Sequence, residues 1–136
     1  MLRIEVADLS FRAELEDAAP QTAVAFRRLL PLESRLIHVR WSGEACWIPF
    51  GKLELGVGAE NTTSYPAAGQ LLLYPGGISE TELLLAYGPT SFASKAGALA
   101  GNHFASVVDG NDRLPELGRR TLWEGAQPIR VTEQQR

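Results

Sequence analysis

Residues 80–109, ETELLLAYGPTSFASKAGALAGNHFASVVD, decide how the chain reads. Two apolar runs, Leu83–Tyr87 and His103–Val108, fit strands, and in the second His103, Ala105 and Val107 alternate with Phe104, Ser106 and Val108. Between the runs, Gly88–Gly101 is made largely of Gly, Ser, Thr, Pro and Ala, which offer many backbone N–H groups and little side-chain bulk. Such a loop on a rigid frame is a natural place for a ligand. Glu82, just ahead of three leucines, either points inward and needs a partner or points outward as an edge charge that prevents mispairing.

Upstream, Leu2, Ile4 and Val6 alternate with charged residues, as do Phe11, Ala13 and Leu15, so a hairpin with one wet face is predicted, broken at Asp8–Ser10. A helix is predicted over Pro20–Leu30: proline suits its first position, Ala23, Phe26 and Leu30 share a face, and Pro31 stops it. Arg27 and Arg28 complement its dipole. Strands follow at Arg35–Trp41 and Glu44–Ile48 around a Ser42–Gly43 turn, and at Leu71–Tyr74 before Pro75–Gly76–Gly77. Downstream of the central stretch, Asn111 or Asp112 caps a helix near Leu114–Trp123 that turns Leu114, Leu117 and Leu122 inward. A last strand, Ile129–Val131, precedes a frayed tail, Thr132–Arg136. This order predicts a mainly β fold with two short helices, a closed antiparallel barrel.

With 45% apolar and 21% charged residues, the 136 residues match one ordinary globular domain, 1–136. No apolar run reaches the roughly 18 to 20 residues of a membrane helix, and MLRIEVADLSF lacks a signal-peptide core, so a cytoplasmic protein without a membrane partner is expected. A net charge of −3 without long runs argues against nucleic acid. A single cysteine and two histidines exclude an internal disulfide and an all-cysteine metal site; no metal and no cofactor are expected. Barrel edges often pair, which leaves a homo-oligomer open.

Several residues bear on chemistry. Arg40 and Glu44 could meet a ligand's carboxylate and donor groups, or pair with each other across their hairpin. Trp41 and Trp47 fit core or pocket wall. Cys46 with His103 has the residue types of a nucleophile and its base, but an unpaired strand cysteine is usually a small buried hydrophobe. Pro49–Gln70 is irregular, and Glu60, Asn61 and Thr62 within it are second-tier site candidates or turn formers. Ser94–Lys95 with Gly97 and Gly101 has the composition of an anion cradle without the spacing of a phosphate-binding loop. Ser91 and Ser94–Lys95 also suggest a Ser–Lys nucleophile, but Lys95, the immediate neighbour of Ser94, points away from it on a strand or a helix.

APQTAVAFRRLLP, followed by a strand with His38 and Arg40, resembles the cyclophilin pattern of a helix leading through a buried Phe to the strand with the catalytic Arg. ETELLLAYGPTSFASKAGALAGNHF and LGRRTLWEGAQPI resemble, more closely and over almost the whole chain, an uncharacterised family of small bacterial and archaeal proteins with a cyclophilin-like fold. The resemblance implies a cyclophilin-like β-barrel, with Arg40 as the counterpart of the prolyl-isomerase arginine. The following segment departs from cyclophilins: Trp41–Trp47 replaces much of the peptide groove.

These readings converge on a small-molecule-binding protein with a pocket on the barrel built from Arg40, Trp41, Glu44, Trp47, Tyr87 and the Asn102–His103 strand start. The alternatives are a hydrolase or isomerase that uses Glu44 or Glu82 with His103 as acid and base, and an assembly protein with an apolar patch and no pocket.

Overall fold

Leu2, Ile4 and Val6 are buried along β1 (Leu2–Val6), and Leu9, Phe11 and Ala13 along β2 (Leu9–Leu15), as period-2 alternation demands. Val6 faces Leu9, so the turn is the two-residue loop Ala7–Asp8, one step earlier than the Asp8–Ser10 break. The computed structural model describes residues 1–135.

Helix α1 (Pro20–Arg27) starts at its proline and buries Thr22, Ala23, Ala25 and Phe26, with the Phe26 ring 4.8 Å from that of Phe104. It ends three residues before Leu30; Leu29 and Leu30 close a turn ahead of Pro31 instead. Arg27 in the last turn pairs with Glu133 at 2.9 Å. The next strand, β3, spans Leu32–His38 rather than Arg35–Trp41, which leaves Arg40 and Trp41 in the turn before β4 (Gly43–Gly51). The irregular segment that follows contains only a two-residue strand, β5 (Thr62–Thr63), before β6 (Gln70–Tyr74) and β7 (Thr81–Thr90) form a hairpin.

Within the predicted ligand loop, Ala93–Ser94 (β8) and Gly97–Ala98 (β9) make a small flap of their own, and β10 (Gly101–Asp109) returns beside β6. A 3-10 turn, Asn111–Arg113, leads into α2 (Leu114–Trp123). Neither Asn111 nor Asp112 caps it: Gly110 enters the turn in the left-handed conformation, and the Asn111 amide donates back to the Val107 carbonyl. The inward face of α2 is Leu114, Leu117, Gly118 and Thr121, a strict helical stripe, so Leu122 falls outside it and is half exposed. Strand β11 (Gln127–Glu133) runs longer than Ile129–Val131 and takes in Thr132 and Glu133, expected in a frayed tail; Arg136 lies outside the described residues.

The strands pair in the order β2-β1-β11-β3-β4-β7-β6-β10, and β10 pairs back onto β2, so eight antiparallel strands close a barrel. The mainly β, two-helix barrel read from the sequence is the fold. Its interior holds Ile4, Phe11, Cys46, Leu71, Leu73, Leu83, Leu85 and Phe104, joined by Phe26 of α1 and Leu117 of α2.

The LLL runs of β6 and β7 have a second reason. Leu72, Tyr74, Leu84 and Ala86 face the opposite way, into a smaller apolar cluster with Ala45 of β4. Phe92 and Leu99, on either side of the flap, complete it. This part of the barrel wall is therefore covered on both faces, which is why its sequence does not alternate.

Candidate functional site

The outer face of β4 and β7, the Val39–Ser42 turn and the flap enclose a pocket of about 410 Å³. Ile37, Val39, Trp47 and Pro49 form its apolar wall, and Trp41 stands at its mouth, 57% exposed. Ser42 braces the arrangement. Its hydroxyl donates to the Ala93 carbonyl and accepts the Ala93 N–H, and its own carbonyl accepts the Ser91 N–H. Phe92 and Leu99 hold the flap down in the outer cluster, so its tip carries Ser94 and Lys95 to the pocket rim.

Four ionisable side chains line the pocket, Arg40, Lys95, Glu80 and Glu82. Arg40 and Lys95 are exposed at the mouth and neither has an ion pair or hydrogen bond among the described residues. Glu82 lines the pocket too, only 5% exposed, and its carboxyl likewise has no partner among the described residues. It lies opposite Pro49 and Tyr74 in the strand register. Burial, reinforced by the neighbouring charge of Glu80, pushes its pKa up to about 8. The sequence alternatives of an inward paired carboxylate and an outward edge charge both give way: Glu82 faces outward from the barrel yet is buried, because the outer face is itself covered. The indole N–H of Trp47 is also buried and has no hydrogen-bond partner among the described residues.

Of the residues expected at the site, Arg40, Trp41, Trp47 and Glu82 line this pocket together. The others lie elsewhere. Glu44 rests over Gly88, its carboxyl 2.5 Å from where a Cβ on that glycine would stand, and makes no pair with Arg40. Tyr87 points toward α2, and its hydroxyl meets His38 Nε2 at 2.8 Å. Burial raises the pKa of its phenol, aided by Cys46 and Glu44.

Glu60, Asn61 and Asn102 form a separate network. The Glu60 carboxylate accepts the Thr22 N–H and hydroxyl at 2.8 and 2.7 Å and the Gln21 N–H at 3.3 Å. Ala19 cannot cap α1, so a carboxylate from a distant loop satisfies its first amides, and those bonds hold the Glu60 pKa low. The Asn102 amide nitrogen donates to Thr22 and to the Gly58 carbonyl, while its oxygen accepts the Glu60 N–H. Asn61, in the left-handed conformation, donates to the His103 carbonyl. Every member is engaged in holding the long loop to α1 and β10. Thr62 pairs with Asn102 in the same ladder.

His103 joins neither carboxylate proposed as its partner. Its Nε2 lies 2.8 Å from Ser106 Oγ, whose proton goes to Glu16 at 2.6 Å. A nucleophilic triad requires the imidazole to accept the hydroxyl proton, and here a carboxylate takes it. Nor does His103 meet Cys46, which lies in the barrel interior with its sulfur 3.2 Å from the Thr121 hydroxyl. Burial pushes that thiol up to about 12, so it stays protonated and unreactive. Lys95 and Ser94 come to the pocket through the flap hairpin rather than through a phosphate-loop motif; Gly97, which opens the returning strand at positive φ just after the Lys95–Ala96 turn, was the available signal.

Residues 2–133 match a family model described as Protein of unknown function (DUF3830). The chain belongs to the DUF3830 family. No curated protein matches it. Nine solved chains do, among them one described as the structure of McbB in complex with tryptophan, similar to this DUF3830 chain at 22% identity with a TM-score of 0.75. The alignment covers all of this chain and 45% of McbB, so the DUF3830 barrel spans less than half of that protein's length. At this identity the likeness concerns the fold. Among the described residues of the DUF3830 chain, no helix is long and apolar enough to cross a membrane.

Proposed function

We propose that this DUF3830 protein is a cytoplasmic small-molecule-binding protein or accessory subunit that takes an organic anion in the outer-face pocket. The observation that carries the reading is the pair of unpartnered cations, Arg40 and Lys95, at the mouth of an apolar pocket with two tryptophans. A cavity of about 410 Å³ falls within the range of metabolite sites. The ligand's carboxylate meets the Arg40 guanidinium, which can bind it with two parallel hydrogen bonds, and a planar apolar body lies beside Trp41 and Trp47. The tryptophan bound by McbB makes aromatic carboxylates the first compounds to try.

A thermal-shift screen of carboxylate metabolites tests this. A ligand at a hundred times its dissociation constant adds about 2.7 kcal/mol and raises the midpoint by roughly 5–10 °C. Arg40→Ala should abolish the shift and leave the unliganded midpoint in place, since Arg40 is exposed and unpaired. Retained affinity in that variant would reject the assignment.

Glu82 favours a second reading, an isomerase or hydrolase in which its carboxyl alone serves as acid and base, because a group titrating near neutrality suits proton transfer. The cyclophilin-like resemblance adds prolyl isomerisation, with Arg40 at the prolyl nitrogen, and proline-containing peptides belong in the same screen. Glu44 and His103 have no part in either, lying outside the pocket lining.

A further inference from the structure

We infer that the pocket takes a protonated amine, its ammonium group held at the Glu82 carboxylate beside the indoles of Trp41 and Trp47, so that the ligand is an amino-acid-type zwitterion whose own carboxylate meets Arg40 and Lys95. The inference rests on the small-molecule reading above and deepens it by naming the second charge.

The outer cluster around Glu82 is otherwise apolar, with Leu72, Leu84 and Tyr74 as its neighbours. An aliphatic side chain would fill position 82 without the cost of burying an acid. The carboxyl has no partner among the described residues, so nothing in the fold compensates it. A buried carboxyl that opens onto a cavity, with aromatic faces beside it, is complementary to an ammonium ion, which gains from both. A metal ion fits less well: among the described residues no three His, Cys, Asp or Glu side chains gather to hold one.

The groups around Glu82 set the proton balance. Glu80 adds negative charge from the approach to β7, and Arg40 and Lys95 are the cationic side chains lining the same pocket. Tyr74 from β6 turns its hydroxyl to the Ile78 and Ser79 amides, while Pro49 and Trp47 from β4 carry no charge. Glu82 is mostly protonated at neutral pH. An amine arrives as ammonium, so pairing requires Glu82 to release its proton to solvent, up to one per ligand bound.

The experiment is calorimetric titration with tryptamine, tryptophan and indole-3-propionate, each in two buffers of different ionisation enthalpy, on the wild type, Glu82→Gln and Arg40→Ala. Glutamine matches the neutral carboxyl in shape, so that variant keeps the fold. Tryptophan should bind most tightly, and amine binding at pH 7 should release a proton. Glu82→Gln should weaken tryptophan and tryptamine at least tenfold, abolish the proton release and leave indole-3-propionate unchanged. Arg40→Ala should weaken tryptophan and indole-3-propionate and spare tryptamine. If indole-3-propionate binds but Glu82→Gln leaves amine affinity and proton release as in the wild type, the amine site is overturned while the anion pocket stands. If no compound binds up to millimolar concentration, and the wild-type Glu82 carboxyl carbon titrates in NMR identically with and without tryptamine, both readings fall.

Discussion

Glu82 and Cys46 are both buried acids on one sheet, and their surroundings give them opposite consequences. Cys46 has the Thr121 hydroxyl and an apolar barrel around it, and stays neutral across the physiological range. Glu82 opens onto a cavity and titrates within reach of neutrality, which links folding to pH. Its folded pKa of about 8 lies above the usual 4.5, so the folded state holds this proton more tightly than the unfolded chain. The stability gained by the neutral carboxyl is whole below about pH 4.5 and is lost as pH rises through about 8. Urea unfolding at pH 5 and pH 9 should show the wild type falling much further behind Glu82→Gln at the higher pH; a constant gap would mean that Glu82 is ionised in the fold throughout. At this scale the sequence was informative about residue type and silent about environment. Arg40, Trp41 and Trp47 belonged to one short hairpin and could be grouped by eye. The roles of Glu60 and Asn102 depend on Thr22, tens of positions away, and no local pattern reveals such a pairing.

Among the elements, α2 shows how one missing side chain fixes a helix on a barrel. A Cβ at Gly118 would stand 2.3 Å from the Tyr87 ring, so only glycine lets the helix settle where Thr121 reaches Cys46. Gly118→Ala should destabilise the protein by about 1–3 kcal/mol, by overpacking, despite alanine's better helix propensity. Tyr87→Ala should remove most of that cost in the double variant; an equal cost with and without the ring would assign the glycine to the helix backbone instead. The helix was legible from Leu114 and Leu117, and its glycine marked close packing, but the partner ring lies on a strand about thirty positions upstream. Helix α1 was legible at its start for the same local reason, a proline at N1. Its end was not, because the Arg28–Leu30 turn keeps both leucines against the core as a helix would.

Across the whole molecule, barrel closure depends on pairings far apart in sequence: β11 lies between β1 and β3, and β10 meets β2. Alternation in the outer strands and tight turns made the class legible. The second cluster was less so, because a fully apolar run does not say what covers each of its faces. That double cover sets a ranking of local stability. Amides of Leu71–Leu73 and Leu83–Ala86 sit in paired strands with apolar layers on both sides, while the Ala93–Ala98 hairpin is two residues per strand and exposed at its tip. Native-state hydrogen exchange should find the first group opening only with global unfolding and the second exchanging faster by at least about a hundredfold. Equal protection would show the flap to be part of the barrel's cooperative unit. The Ser42 brace then acquires a meaning in time. The pocket floor lasts as long as the protein stays folded, whereas its roof is renewed at each local opening, so the residence time of the proposed ligand is set by the flap's own anchors, the Ser42 hydrogen bonds and the buried Phe92 and Leu99, rather than by the barrel.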